Sequence, residues 1–87
     1  MKLLHAAALA LVGWYLMVPP LEQNREHDPS APISRWTING RYDSAAKCAK
    51  AQMQNLKYWN HVGNEQMVDA FGQSACIPTD DSRLKSK

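Results

Sequence analysis

The sequence has few of the residues and motifs from which catalytic and metal sites are usually built. Only two cysteines occur among 87 residues, and they do not form a CxxC pair. There is no Gly-rich phosphate loop, no Ser/His/Asp arrangement, and no histidine at a ligand-like spacing from either cysteine. We therefore predict a protein that is not an enzyme, with no catalytic residues, no metal site and no cofactor.

The chain also lacks a strong charge of either sign. Its formal net charge is +2 at pH 7, which is too weak to argue for nucleic acid as a partner. No internal repeat or low-complexity tract is present, and 87 residues allow one domain.

The N-terminal segment resembles a signal peptide. Lys2 is followed by residues 3–12, which are apolar apart from His5. We predict that residues 1–13 are a signal peptide, with cleavage near Gly13 or after Ala10. Two alternatives stay open, because the apolar run continues to residue 18 and reaches about 16 residues. The segment could be an uncleaved membrane anchor or a buried first element of a cytosolic protein.

Two stretches favour β-strands. Residues 14–18 are an apolar run that Pro19 and Pro20 end, as in a buried strand. Residues 34–42 alternate between apolar and polar side chains, as in one straight, half-buried strand. The residues expected on its apolar face are Trp36, Ile38, Gly40 and Tyr42.

Asn39-Gly40 is a strong hairpin signal, but the second arm would be too short here. We therefore predict that the strand continues through this pair, with Gly40 marking a bulge or a close approach by a helix.

Residues 43–59 predict the main helix. Asp43 and Ser44 are both suitable N-caps, and no Gly or Pro interrupts the run that follows. The side chains expected on its buried stripe are those of Ala45, Cys48, Ala49, Gln52, Met53, Leu56 and Trp59.

Cys48 lies on that stripe and should point inward. If the chain is exported, its natural partner is Cys76, and the bridge would close a loop of roughly 29 residues with about 3.5 kcal/mol of stabilisation. The alternative is two buried free thiols in a cytosolic protein.

The C-terminal third is less regular. Asn64 could cap a short helix that Gly72 ends, although a packed loop fits equally well. Residues 75–79 favour a short third strand, with Cys76 facing the helix and Ile77 facing away. We expect a turn with an Asp–Arg contact near residue 81, and a frayed tail at residues 85–87.

Histidine–carboxylate pairs are the only candidates for acid–base chemistry. They are His27 with Asp28, in the Pro-rich loop of residues 19–33, and His61 with Asp69. Neither has identifiable convergent partners, so we expect a solvated loop around His27 and a surface position for His61 at the helix end.

Together these elements predict a small α+β domain over residues 14–84. A three-stranded sheet would lie under one main amphipathic helix, cross-linked by one disulfide. Because residues 14–18 are apolar on both faces, the face away from the helix needs a cover. The loop of residues 19–33, the segment of residues 64–72, or a partner protein or second copy could supply it.

The chain resembles a group of small, uncharacterised exported bacterial proteins. The matching pieces are WYLMxPP at residues 14–20, Trp36 on a strand, Tyr42-Asp43-Ser44 before a Cys-bearing helix, and CIxxDDxRL at residues 76–84. The resemblance covers most of the mature chain. It implies export and a Cys48–Cys76 bridge, and no activity. The chain departs from it at Ser82, where proline is expected.

We therefore expect a periplasmic or secreted module that binds a protein partner or forms a homo-oligomer. The alternative is a small envelope protein that an uncleaved segment of residues 3–18 holds in the membrane. Only in that case do we expect contact with a membrane.

Overall fold

The computed structural model describes residues 13–85, with the backbone alone at Lys85. Within this range the chain forms a small α+β unit, which confirms the predicted fold class. Its helices and strands are β1 (Trp14–Val18), β2 (Thr37–Tyr42), α1 (Ala45–Val62), α2 (Glu65–Gly72) and β3 (Ala75–Pro78). Short 3-10 turns lie at Ile33–Arg35 and Ser82–Lys85. The predicted signal peptide and tail lie outside the described residues, apart from Gly13 and Lys85.

β1 is the central strand of the sheet, whose order is β2-β1-β3. It pairs antiparallel with both neighbours, so β2 and β3 run in the same direction on either side of it. This position follows from its composition, because consecutive apolar side chains suit a strand that is covered on both faces. Leu16 and Met17 point to opposite faces and are 0% and 2% exposed.

The two helices cover one face of the sheet. Leu16 packs there with Cys48 of α1 and with Ala70 and Phe71 of α2. The segment of residues 64–72 is therefore a helix, as one of the two interpretations predicted, and it lies on the same face of the sheet as α1.

The chain itself covers the other face. Met17, Ile33 and Ile77 are buried together there, with Trp36 and Leu84 packed against them. Of the covers that the sequence left open, the loop of residues 19–33 contributes Ile33. Trp36 and the C-terminal turn supply the rest, which sequence reasoning missed.

β2 is one continuous strand, as predicted, but it begins at Thr37, because Ser34 and Arg35 belong to a 3-10 turn. It contains a bulge, one of the two roles that the sequence left open for Gly40. Leu16 lies opposite Gly40, but the next residue, Met17, lies opposite Ile38. Asn39 is thus an extra residue with no counterpart on β1. Inserting one residue reverses the alternation of side chains beyond it, because the period of a strand is two.

The bulge makes one prediction wrong. We expected Trp36 and Tyr42 to share a face of a straight strand, but they lie on opposite faces of the sheet. Tyr42 packs with the Leu16 cluster under the helices, whereas Trp36 packs with the Met17 cluster. Ile38 is on neither buried surface and is 50% exposed.

α1 begins and ends with well-formed caps. The Ser44 hydroxyl accepts a hydrogen bond from the Lys47 backbone N–H at 3.1 Å. Gly63, at φ 85°, ends the helix in the left-handed conformation that favours glycine. Ala45 and Ala49 were predicted to be buried but are exposed. Met53, also predicted to be buried, is 55% exposed. Met53 lies five residues after Cys48, about 140° further around the helix, so it points away from the side on which Cys48 is buried.

The predicted disulfide between Cys48 and Cys76 is present. Their Cα atoms are 6.1 Å apart, and neither cysteine is free. Cys76 lies opposite Leu16 in the sheet, so it faces α1, and Ile77 faces away as expected. The bridge therefore joins the edge strand β3 to the first half of α1.

The expected contact in the C-terminal turn is also present. The Arg83 guanidinium donates two hydrogen bonds to the Asp81 carboxylate, at 3.1 and 2.9 Å.

Candidate functional site

A groove of about 280 Å³ opens where β1 ends, on the face of the sheet that the helices cover. The end of β1 and α2 supply most of its apolar surface, and β2 supplies polar side chains. The lining residues are Val18, Pro19, Pro20, Leu21, His27, Thr37, Asn39, Met67, Ala70 and Phe71.

The prolines determine how the chain leaves the sheet at this point. Pro19 and Pro20 have no backbone N–H to donate, so β1 cannot continue its ladder. The chain then makes a closed loop, in which the Asp28 N–H donates to the Pro20 carbonyl at 3.0 Å. Leu21 and His27 form an isolated antiparallel bridge inside this loop. The loop thus brings His27 back to the groove.

His27 is fixed there by Asp69 of α2. The backbone N–H and the ring Nδ1 of His27 lie 3.0 and 2.9 Å from the same carboxylate oxygen, Oδ2 of Asp69. Only 8% of the His27 side chain is exposed, against 36% of the Asp69 side chain. The hydrogen bonds from the His27 backbone and ring hold the pKa of the Asp69 carboxyl below its usual value.

This contact assigns the hydrogen-bonding roles of the His27 ring. An ionised carboxylate can only accept, so Nδ1 carries the proton. In the neutral ring Nε2 is then an acceptor, and in the described part of the chain it has no hydrogen-bond partner.

The structure contains neither of the histidine pairs that the sequence suggested. His27 pairs with Asp69 instead of Asp28, and our prediction of a solvated loop at His27 is wrong. Asp28 accepts hydrogen bonds from the backbone and hydroxyl of Ser30, which lower the pKa of its carboxyl. His61 is exposed in the last turn of α1, as expected, and is not paired with Asp69.

No sequence signal could have found the His27–Asp69 pair. The two residues are 42 positions apart, and each has a nearer candidate of opposite type. Only the return of the loop beside α2 brings them together.

His27 is the only ionisable side chain among those that line the groove. Across residues 13–85, no group of three or more His, Cys, Asp and Glu side chains is placed to hold a metal ion. The arrangement therefore offers an apolar surface with a polar rim and one oriented imidazole.

Comparisons with known protein families, with curated proteins and with solved structures find no match to this chain. The resemblance drawn from the residue motifs therefore stays a prediction. In the described range, 13–85, no helix is both long enough and apolar enough to cross a membrane.

Proposed function

We propose that the protein is an exported, non-enzymatic module that binds another protein through this groove. The observation that carries the proposal is the groove itself, whose lining is mainly apolar and whose rim carries Leu21, 48% exposed. A domain this small has little apolar surface to leave open, and such surfaces are typical of interaction sites.

The groove is preorganised in the free protein. The disulfide ties α1 to the sheet, and the two hydrogen bonds of Asp69 tie the loop to α2. A preorganised surface loses little conformational entropy on binding, which favours affinity from a small contact area.

The chemistry of the groove supports binding over catalysis. Its single ionisable side chain, His27, is held by a carboxylate that already accepts two hydrogen bonds. General acid–base catalysis usually combines such a group with a nucleophile or a second titrating group in the same site. Thr37 and Asn39 on the rim are suited to hydrogen bonding.

The disulfide supports a periplasmic or secreted location. Disulfide bonds persist in oxidising compartments and are rare in the reducing cytosol. The predicted signal peptide at residues 1–13 agrees with this.

The alternative of a membrane anchor over residues 3–18 meets a specific difficulty. Residues Trp14–Val18 form the central strand, between β2 and β3. They cannot also belong to a helix in a bilayer.

Site-specific photo-crosslinking in the host cell tests the binding proposal. A benzophenone amino acid replaces Leu21 at the rim of the groove, and in a matched control it replaces Tyr58, which is 58% exposed on α1. We expect a discrete protein adduct from position 21 and not from position 58. The proposal fails if neither position gives an adduct, or if both give the same one.

Mass spectrometry of the same material tests export. We expect a chain that starts near Trp14 or Leu11, recovered from the periplasm or the medium. An intact N-terminus in the cytosolic fraction would contradict the location.

A further inference from the structure

The two edges of the sheet differ in how readily they could pair with a strand of another polypeptide. β3 has four residues and ends at Pro78, which has no N–H to offer. Just beyond it, Thr79 is tied to Gly13: its backbone N–H donates to the Gly13 carbonyl at 2.9 Å, and its hydroxyl accepts from the Gly13 N–H at 3.2 Å. These two bonds lie between β3 and β1 and extend their ladder. The outer edge of β3 is short, and Pro78 leaves it with one backbone donor fewer.

β2 forms the opposite edge, which is longer and contains no proline. It pairs only with β1, and outside that ladder no backbone group of Thr37–Tyr42 is hydrogen-bonded to any described residue. Its side chains are largely exposed, with Ile38 at 50%. Arg41 is the only charged residue of the strand, and Lys and Glu, which often protect sheet edges, are absent. Its outward backbone donors and acceptors therefore fit one kind of ligand, an extended polypeptide.

The groove lies against this same edge. Thr37 and Asn39 of β2 line it, while Ile38 projects on the other face of the sheet. Side chains of a strand alternate between faces. A strand added beside β2 would thus place one set of side chains over the groove and the other set beside Ile38.

The bulge at Asn39 limits the length of such a strand. A bulge interrupts regular pairing and turns the edge, so it hinders the pairing of two whole sheets more than the docking of a short segment. A short segment of another protein therefore fits this edge better than a second copy of the chain does.

We propose that β2 accepts an extended, proline-free segment of the partner protein as a fourth strand, with an apolar side chain in the groove. This inference rests on the proposed function and adds the mode of binding and the kind of partner segment. The outward backbone of Thr37–Tyr42 supplies the affinity, and the groove supplies the selectivity.

Selection from a phage-displayed library of random dodecapeptides, with the disulfide-bonded protein as bait, provides the probe. We expect recovered peptides to lack proline and to have apolar residues at alternate positions. Bound peptide should slow hydrogen exchange of the backbone amides in Thr37–Tyr42.

N-methylation of the recovered peptide tests strand pairing directly. Alternate N–H groups of a strand point toward the same neighbour. We expect methyl groups on one set of alternate residues to abolish binding, and methyl groups on the other set to leave it intact. Loss of affinity that does not follow this period of two would overturn the proposal.

A pair of exposed-site variants completes the test. Ile38→Lys places a charge on the edge, and we expect roughly tenfold weaker peptide binding. Tyr58→Lys makes the same change on α1, and we expect unchanged binding. Circular dichroism checks that both variants fold.

Several other results would overturn strand addition at β2. Recovering no peptide, or finding equal binding to both variants, overturns the proposal. So does a dimer in light scattering that Ile38→Lys dissociates, because a second copy would then occupy the edge. Peptides that bind and protect another surface refute strand addition at β2, whereas the photo-crosslinking experiment decides independently whether the protein binds a partner.

Discussion

His27 and Asp69 are joined by two hydrogen bonds that end on one carboxylate oxygen, although 42 residues separate them in the chain. One bond comes from the histidine backbone and the other from its ring, so Asp69 fixes both the course of the loop and the orientation of the imidazole. The pair is thus the main polar contact between the loop that leaves β1 and helix α2. It determines the shape of the groove.

Replacing Asp69 should destabilise the fold. Asp69→Ala removes the acceptor of a half-buried N–H and of a ring that is only 8% exposed. Leaving such donors without a partner reduces the free energy of unfolding by about 1–3 kcal/mol. Urea denaturation measures the loss. Asp80→Ala, at an exposed position, is the matched control and should change stability by less than about 0.5 kcal/mol. Equal losses for the two variants would show that the His27–Asp69 contact contributes nothing.

The contribution of Asp69 should depend on pH in a defined direction. Its hydrogen bonds to His27 lower the pKa of the folded carboxyl below the unfolded value of 3.8. Stability from this group is therefore fully present above pH 3.8 and is lost as the pH falls through the lower, folded pKa. We expect the stability difference between the wild type and Asp69→Ala to be present at pH 5, where the Asp69 carboxyl is ionised. It should shrink below pH 4.

Urea denaturation of both proteins at pH 7, 5 and 3 checks this. Subtracting the variant from the wild type removes the parallel effects of Asp28 and Asp81, whose carboxyl pKa values are also lowered. A difference that grows as the pH falls from 5 to 3 would contradict the assignment.

Sequence reasoning succeeded where the signal was local. Ser44 and Asn64, both among the candidate N-caps, cap the two helices. A side-chain oxygen just before a helix accepts a hydrogen bond from a backbone N–H three residues later, so this signal is local. The apolar character of both faces of β1 correctly predicted that both faces of the sheet are covered, but it did not give the strand order. The two cysteines left one intramolecular pairing.

Sequence reasoning failed where the structure depends on a long-range contact or on a single inserted residue. The groove depends on a loop that returns to α2, and no spacing in the sequence encodes the resulting His27–Asp69 pair. Because of the bulge at Asn39, the residues before it lie on the opposite face of the sheet from the one expected. Gly40 suggested a bulge, but the extra residue is identified only by its missing partner on β1.

Removing the disulfide should bring the protein close to unfolding. Cys48 and Cys76 are 28 residues apart, and a loop of that size accounts for about 3.5 kcal/mol of stabilisation. The core of a domain this small supplies only about 3–5 kcal/mol. We expect the double variant Cys48→Ala/Cys76→Ala, and the wild type in dithiothreitol, to lose this amount in urea denaturation. Unfolding at an unchanged urea concentration after reduction would contradict the prediction.

Gly40 should tolerate a side chain poorly because of its neighbour on the same face of β2. A Cβ at this position would lie 2.8 Å from the Tyr42 hydroxyl oxygen and within 3.2 Å of two of its ring carbons. The Tyr42 ring packs against the buried cluster around Leu16, so it cannot move away freely. We expect Gly40→Ala to destabilise the protein by about 1–3 kcal/mol in urea denaturation.

The matched control for Gly40→Ala is Gly72→Ala, the same substitution in the last residue of α2. A Cβ there meets no atom within 4 Å. Alanine restricts the unfolded chain more than glycine does, so we expect a stabilisation of about 0.4–1 kcal/mol. Opposite signs for the two variants would show that steric contact with Tyr42 outweighs this entropic gain at Gly40. If Gly40→Ala is as stable as the wild type, Tyr42 moves aside at no measurable cost in free energy, and the steric argument is wrong.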